Sequence, residues 1–299
     1  MPNSRRGAAR TPADMPDPAP ISVLIPVRNE AANLAACLAS VAWCDDVVVV
    51  DSGSTDATAQ IARAAGARVV DFKWNGRLPR KKNWALANVA WKHEWIFIID
   101  ADERVTPALA AAMRAALSQP EHTGYYVNRR FWFLDGWLNH CGYFPSWNLR
   151  LFRHAFGCYE MPAGGADPGS GDNEVHEHVE LQGTAGYLAG EMEHYAFPDI
   201  ATWVEKHNRY SNWEARQQVS AATEDATGLD PGLARKRRLR RLAWSLPGRP
   251  LLRFLYHYVW RAGFLDGYRG FVFCRLMGWY EFLSATKAQE LRRQAKPGS

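Results

Sequence analysis

Short apolar runs alternate with amphipathic stretches over the first third of the chain. Ile21-Ser22-Val23-Leu24-Ile25-Pro26-Val27 is apolar and β-branched, reads as a strand, and ends in Arg28-Asn29-Glu30. An Ala/Leu-rich helix follows to about Val41. Asp46-Val47-Val48-Val49-Val50-Asp51 predicts a second buried strand, and Ser52-Gly53-Ser54-Thr55-Asp56 a turn and helix cap. The next helix runs to Ala65, where Gly66 is placed to end it. Ala67 to Phe72 predicts a third strand, Lys81 to Lys92 a helix, and Trp95 to Ile99 a fourth, fully apolar strand. Strands alternating with helices in this way predict an α/β fold built on a parallel, doubly wound sheet.

The fourth strand runs directly into Asp100-Ala101-Asp102-Glu103. Parallel sheets bind ligands at the C-terminal ends of their strands. Two Asp separated by one residue at such an end can hold a hard divalent cation, which in turn clamps a diphosphate. Helix capping is the competing role, but Thr106-Pro107 already supply an N-cap and a proline at the first helical position. Three strand ends converge on one edge: Pro26 to Glu30, Asp51 to Asp56, and Asp100 to Glu103. Their carboxylates repel one another unless a cation or basic group sits among them. Lys81 and Lys82 are candidate phosphate partners, with a solvated helix face as the alternative. No glycine-rich phosphate loop follows the first strand, which argues against a Rossmann dehydrogenase, a P-loop enzyme or a sugar nucleotidyltransferase.

Residues 21–30, Asp51-Ser52-Gly53-Ser54-Thr55-Asp56 and Asp100-Ala101-Asp102 resemble family 2 glycosyltransferases of the GT-A fold. The stretch from Phe72-Lys73-Trp74-Asn75-Gly76 through Lys81-Lys82-Asn83-Trp84-Ala85-Leu86 is similar to bacterial lipopolysaccharide core β-1,4-glucosyltransferases and their relatives. The resemblance spans roughly residues 20–280. It implies a GT-A (Rossmann-like) sheet and a nucleotide-sugar donor. Pro26, Arg28, Glu30, Asp51 and Ser52 would hold the nucleoside side of that donor and Lys82 its phosphates. Asp100 and Asp102 would hold the ribose and a divalent cation, Mg2+ or Mn2+.

The second half is expected to serve the acceptor. Gly124 to Phe133 alternates and is aromatic, and Trp147 to Phe152 is a short strand; together they predict an antiparallel extension of the sheet. Leu134 to His140 predicts a loop with an exposed Trp137, suited to stacking on a sugar, although core packing is the commoner role of any single Trp. Residues 161–173 are rich in glycine and proline and predict a flexible loop, an insertion relative to the resembled family. Behind it stands Asn173-Glu174-Val175-His176-Glu177-His178. An inverting transfer needs one carboxylate to take the acceptor proton. The resemblance assigns this to Glu177, with Glu174 and Asp172 as rivals. His178 is expected to be a strand residue without chemistry. His194 is a candidate for the metal or the diphosphate.

Charge and composition then separate the C-terminal part. The net charge is only +5, yet Arg235-Lys236-Arg237-Arg238-Leu239-Arg240-Arg241 places six positive charges in seven positions. In Leu251 to Arg261, Arg253, His257 and Arg261 recur every four residues and leave a broad aromatic-aliphatic face. A basic stretch followed by an apolar face predicts a helix lying in an anionic membrane surface. Packing on the catalytic domain competes for residues 264–283, whereas a nucleic-acid partner is not expected without a recognisable binding module.

Five widely spaced cysteines without C-x-x-C predict reduced thiols in a cytoplasmic protein. Residues 1–20 have five prolines and no apolar core, and read as a disordered tail. No apolar run of about 18 residues predicts a spanning helix. The expected layout is a GT-A domain over 21–220, with a nucleotide-sugar half (21–120) and an acceptor half (121–220). A helical, membrane-surface region over 221–299 follows it. The expected activity is inverting transfer of glucose from UDP-glucose to a lipid-linked saccharide, by an enzyme peripheral on the inner membrane. A polyprenyl-phosphate acceptor, or a catalytically silent membrane-binding scaffold on the same fold, are the alternatives.

Overall fold

The computed structural model describes residues 18–160, 178–223 and 248–295. Glu177, Glu174, Asp172, the loop 161–173 and the basic run Arg235–Arg241 lie outside the described residues, as do residues 1–17 of the expected tail. Ala19 and Pro20, assigned to that tail, instead open the first strand.

The first half follows the predicted alternation: β1 (Ala19–Val27), α1 (Ala31–Ser40), β2 (Cys44–Asp51), α2 (Thr58–Ala64), β3 (Arg68–Asp71), α3 (Lys81–Asn88) and β4 (Trp95–Ile98). The parallel order is β3-β2-β1-β4, with Val27 opposite Asp51 and Leu24 opposite Ile98. Gly66 ends the second helix at φ +78°, a left-handed backbone that glycine adopts freely. The third helix stops four residues earlier than expected. The backbone beyond it is drawn to side chains of the sheet: Lys92 N donates to Asp46 Oδ2 (3.0 Å) and His93 N to Ser22 Oγ (3.1 Å).

The second half contains β5 (Glu103–Val105), α4 (Pro107–Ser118), β6 (Gly124–Phe133), β7 (Gly136–Leu138), β8 (Ser146–Arg153), β9 (Gly157–Tyr159), β10 (Val179–Leu181) and β11 (Ala185–His194). As predicted, Thr106 caps α4, accepting from Leu109 N (3.2 Å). Beyond β4 the sheet continues as β8-β6-β11-β5; β8 is antiparallel to both neighbours, and β11 is parallel to β6. The fold is thus a mixed α/β sheet with a parallel half and an antiparallel extension. The expected loop at Leu134–His140 is instead a hairpin, β7 pairing with β6. Trp137 is half-buried there, its ring 4.9 Å from Trp132 and 5.7 Å from Tyr195, because cross-strand aromatic pairing holds the segment down.

Two apolar layers cover the sheet, one under α1 and α4 around Leu34, Leu109 and Met113, the other under α3 around Phe72, Ala85 and Phe152. A third core joins the sheet extension to the C-terminal helices α5 (Ile200–Thr223), α6 (Arg249–Leu255) and α7 (Gly267–Gln294). In it Phe131, Phe133, Leu138 and Cys141 meet Trp203, Phe273, Cys274 and Met277. One face of the last helix is therefore packed, as the competing reading had it. The single helix expected over Leu251–Arg261 also breaks. It ends at Leu255, passes through a π-helical turn (Tyr256–Trp260) and a 3-10 turn (Gly263–Asp266), then enters α7. The break lets His257 turn inward, where its Nδ1 donates to Cys141 O (2.7 Å).

Candidate active site

The site is assembled where the parallel strands end. Beyond β1, Asn29 adopts φ +56°, a left-handed conformation that Asn tolerates better than most residues. Its side chain accepts from Thr55 N (2.8 Å), while its own N donates to Ser54 Oγ (2.9 Å). Glu30 N donates to Thr58 Oγ1 (2.8 Å) and Ala31 N to Asp56 Oδ2 (3.1 Å). These bonds fasten the loop after β1 to the loop after β2. Asp51 closes the latter, its Oδ1 accepting from Ser54 N (2.9 Å) and Oγ (2.6 Å).

Beside Asp51 lies a cavity of about 360 Å³ lined by Arg28, Ser52, Gly53, Phe72, Lys73 and Trp74. Ser52 Oγ is buried and has no hydrogen-bond partner among the described residues. An aromatic wall, two cationic side chains and an unsatisfied hydroxyl suit a planar, phosphate-bearing ligand.

The three carboxylates after β4 separate into three roles. Glu103 is completely buried; it accepts from Asp100 N (2.9 Å), Arg129 Nη1 (3.3 Å) and Arg150 Nη2 (3.0 Å). Asp100 binds Arg150 Nη2 (3.0 Å) and lies 3.5 Å from Lys82 Nζ. Burial pushes the Asp100 carboxyl up, but Lys82 and Arg150 outweigh it and hold the group well below the usual carboxylate range. Asp102 turns another way, its Oδ2 3.4 Å from His194 Nε2 and 3.9 Å from Lys206 Nζ. Burial again opposes ionisation, and the charge of His194 reverses the shift, keeping the Asp102 carboxyl below its ordinary value. Glu30 is raised by burial, with Asp102 and Asp100 adding to the rise and its Asn33 hydrogen bond opposing it. The predicted convergence of carboxylates is therefore present, and so are the basic groups it requires.

Asp102 and His194 form an oxygen–nitrogen donor pair. His194 Nδ1 is buried without a hydrogen-bond partner among the described residues. Metal-binding imidazoles normally have their second nitrogen held; here Nδ1 lacks that support among the described residues, and a cation would rest on the Asp102 oxygen and the Nε2 that faces it. Such a pair fits a divalent cation that takes its remaining ligands from a diphosphate. No group of three or more metal-binding side chains occurs among the described residues.

A second cavity of about 360 Å³ opens on Asp100. Lys82, Arg129, Arg150, Tyr126, Trp147, Tyr159 and His178 are among its lining. At its rim Tyr187, 65% exposed, stacks on Tyr126 (5.0 Å) and meets the edge of Trp147 (4.9 Å). His178, expected as a strand residue without chemistry, stands just before β10 and is among the residues lining this cavity.

Of the predicted residues, Arg28 and Ser52 line one cavity, and Lys82 and Asp100 the other. Asp51 ends β2 and Glu30 stands in the loop after β1, neither lining a cavity, and His194 meets Asp102. Pro26 remains in the strand opposite Val50 and lines neither cavity. Lys81 is not a solvated or phosphate-facing group: it is buried and its Nζ donates to Val27 O (3.0 Å), bracing the end of β1. Sequence reasoning missed Arg150, which ties Asp100 to Glu103. The signal was present: an arginine in the middle of Trp147-Asn148-Leu149-Arg150-Leu151-Phe152 is buried by its strand and needs carboxylates beside it. Lys73 and Trp74 were missed as lining residues for want of any periodic pattern.

The sequence profile described as "Glycosyl transferase family 2" matches residues 22–163. The chain is 30% identical over 280 residues to the lipopolysaccharide core biosynthesis glycosyltransferase LpsC of Rhizobium meliloti (strain 1021), covering 90% of this chain and 91% of that protein. It is 26% identical to the uncharacterized glycosyltransferase RT0209 of Rickettsia typhi, over 92% of this chain and 89% of that one. A crystal structure of Mycobacterium tuberculosis glucosyl-3-phosphoglycerate synthase with Mn2+, UDP and glucosyl-3-phosphoglycerate overlaps 38% of this chain and 44% of its own, at 27% identity and a TM-score of 0.30.

Proposed function

We infer the reaction from one premise: this chain belongs to glycosyl transferase family 2 and is a glycosyltransferase. Its donor is a nucleotide sugar, read here as UDP-glucose, and its acceptor a lipid-linked saccharide of the lipopolysaccharide core or a related envelope glycan. Similarity to LpsC along nearly the whole chain supports the acceptor class. The enzyme works at the cytoplasmic face of the inner membrane as a peripheral protein. Residues 21–120 serve the donor, 121–220 the acceptor, and 221–299 the membrane side.

The observation that carries this reading is the cavity at Asp100. Cationic Lys82 and Arg150 line it beside Asp100, Trp147 and Tyr126 line it too, and so does His178, the residue after Glu177 in sequence. Arg28, Ser52 and Trp74 would enclose the nucleoside, and Lys82 would meet the donor phosphates. Asp102 and His194 would hold Mg2+ or Mn2+, whose charge, when bound, stabilises the departing diphosphate. Trp147 and Tyr187 offer apolar faces to an acceptor pyranose. The acceptor hydroxyl attacks the anomeric carbon from the side opposite the diphosphate. As the new C–O bond forms and the bond to the nucleotide breaks, Glu177 takes the hydroxyl proton, and the anomeric configuration inverts.

Thermal shift with UDP-, GDP- and ADP-sugars, with and without Mn2+, tests the donor, because a ligand of the native state raises its melting temperature. UDP-glucose with Mn2+ is expected to give the largest rise. Glu177→Gln is expected to keep that rise and lose about 10²–10⁴-fold in turnover. A comparable loss in Glu174→Gln or Asp172→Asn, with Glu177→Gln active, transfers the role to a rival.

A further inference from the structure

We propose that residues 251–271 form a wedge that inserts into the interfacial zone of an anionic lipid bilayer; this names the surface behind the peripheral reading above and rests on it for its biological use. Among the described residues, twelve of the seventeen large apolar side chains that are exposed fall between Leu251 and Phe282. The polarity of the segment is inverted relative to water. The middle of its polar stripe turns toward the protein, His257 being buried against Cys141 and Arg253 half-buried, while Arg261 at its end stays exposed. Outward stand Leu251, Leu255, Val259 (58% exposed) and Trp260 (80%), followed by Leu265 and Tyr268 (78%). An apolar surface concentrated this way marks an interaction site rather than a solvated face.

Charge selects the occupant. From residue 251 to 280 the sole acidic side chain is Asp266, and it is buried. Its oxygens accept from Asn139 N (3.2 Å), His140 N (2.9 Å) and Cys141 Sγ (3.6 Å), and bind His140 Nδ1 (2.9 Å). The exposed charges of the stretch are therefore all arginine. Arg261 and Arg275 flank the apolar side chains, and Arg269 is shared with Asp135 (3.5 Å). The basic run Arg235–Arg241 precedes the wedge in sequence. Apolar side chains edged by arginine, with Tyr and Trp among them, match the acyl, headgroup and interfacial layers of one bilayer leaflet. A purely apolar protein partner would leave the arginines without counter-charge. No described helix is long and apolar enough to cross a membrane, which fits a surface-lying element.

The test uses the full-length protein and vesicles of phosphatidylcholine with phosphatidylglycerol. Flotation with the vesicles is expected, with part of the binding persisting in high salt. The double variant Val259→Glu, Trp260→Glu should partition at least about tenfold less, since it places two charges where acyl chains would be. Its melting temperature and UDP-glucose hydrolysis should stay unchanged. Brominated acyl chains should quench a tryptophan signal that Trp260→Phe removes. Equal flotation of the double variant overturns the proposal. So does a dimer in sedimentation that the double variant dissociates, which makes a second copy the occupant. Protection of Trp260 from acrylamide without vesicles also overturns it, since another part of the chain then covers the face. A protein that inserts but transfers no sugar sinks the functional reading alone. One that glycosylates a soluble acceptor and ignores vesicles sinks the wedge alone.

Discussion

The sheet edge and the C-terminal wedge dispose of charge in opposite ways. At the edge, acids and bases are interleaved before any ligand arrives: Glu103 holds Arg129 and Arg150, Asp100 holds Arg150 and Lys82, and Asp102 meets His194. At the wedge, the one acid is buried, His257 turns inward, and apolar groups look out between exposed arginines. The difference teaches what each region expects to meet. A site for a small, highly charged ligand needs counter-charges already fixed, because orienting them afterwards costs free energy at each turnover. A segment with apolar groups outward and its own acid buried would suit a medium less polar than water, as proposed above.

The comparison predicts where substitutions act on chemistry and where they act on the fold. Asp102→Asn is expected to have the largest effect, a loss of at least about 10³-fold in transfer with the fold intact. Calorimetry of UDP binding should show weakened dependence on Mn2+; unchanged dependence would remove Asp102 from the metal role. Arg150→Met leaves Asp100 and Glu103 facing each other without their shared cation. Breaking a buried pair in this way costs about 3–5 kcal/mol, read as a lower denaturant midpoint. A midpoint equal to wild type would mean the edge is not internally neutralised.

The third prediction concerns the join between the two regions. His207 is buried, stacked on Trp203 at 3.5 Å and edge-on to Tyr280 at 5.2 Å. Burial lowers its pKa to about 4, with Lys206 adding to the fall and the Trp203 carbonyl opposing it. The folded state therefore resists protonation that the unfolded chain accepts below its ordinary value near 6.5. This contribution is fully present above that value and is lost as pH falls from about 6.5 to 4, amounting to about 3 kcal/mol. His207→Gln should flatten the stability profile across that window, and a variant with the wild-type slope would locate the acid sensitivity elsewhere. The smallest effect is expected on the wedge surface. Leu251→Ser and Val259→Ser should change stability by no more than about 0.5 kcal/mol, since exposed side chains contribute little to the fold. A larger drop in melting temperature would show that these side chains are packed in solution.

Much of the parallel half was legible because each strand is bounded by turn chemistry and the central strands β1 and β4 are almost wholly buried, so periodicity and length agree. The carboxylates of the site were legible for the same reason, lying where such strands must end. The rest depends on long-range contacts that leave no local pattern. Trp137 reads as a loop residue until Trp132 and Tyr195 are known to flank it. Lys81 reads like its neighbour Lys82, and only the carbonyl of Val27 separates a brace from a ligand-facing group. Around residue 257 the stripe of Arg253, His257 and Arg261 was visible, but its orientation was not. An amphipathic pattern gives two faces without saying which one meets water, and the partner at Cys141 settles that for His257.

The Asp266 clamp also makes the molecule a measuring device. It fastens the wedge to Asn139 and His140, a few residues before β8, the strand that carries Trp147 and Arg150 into the Asp100 cavity. Wedge and cavity are thereby held at a set separation. Were the wedge seated in a leaflet, as proposed, the cavity would stand at a fixed height above the lipid headgroups. Acceptors would then be sorted by stem length, since a saccharide too short for that height could not bring its hydroxyl to the donor, whatever its chemistry.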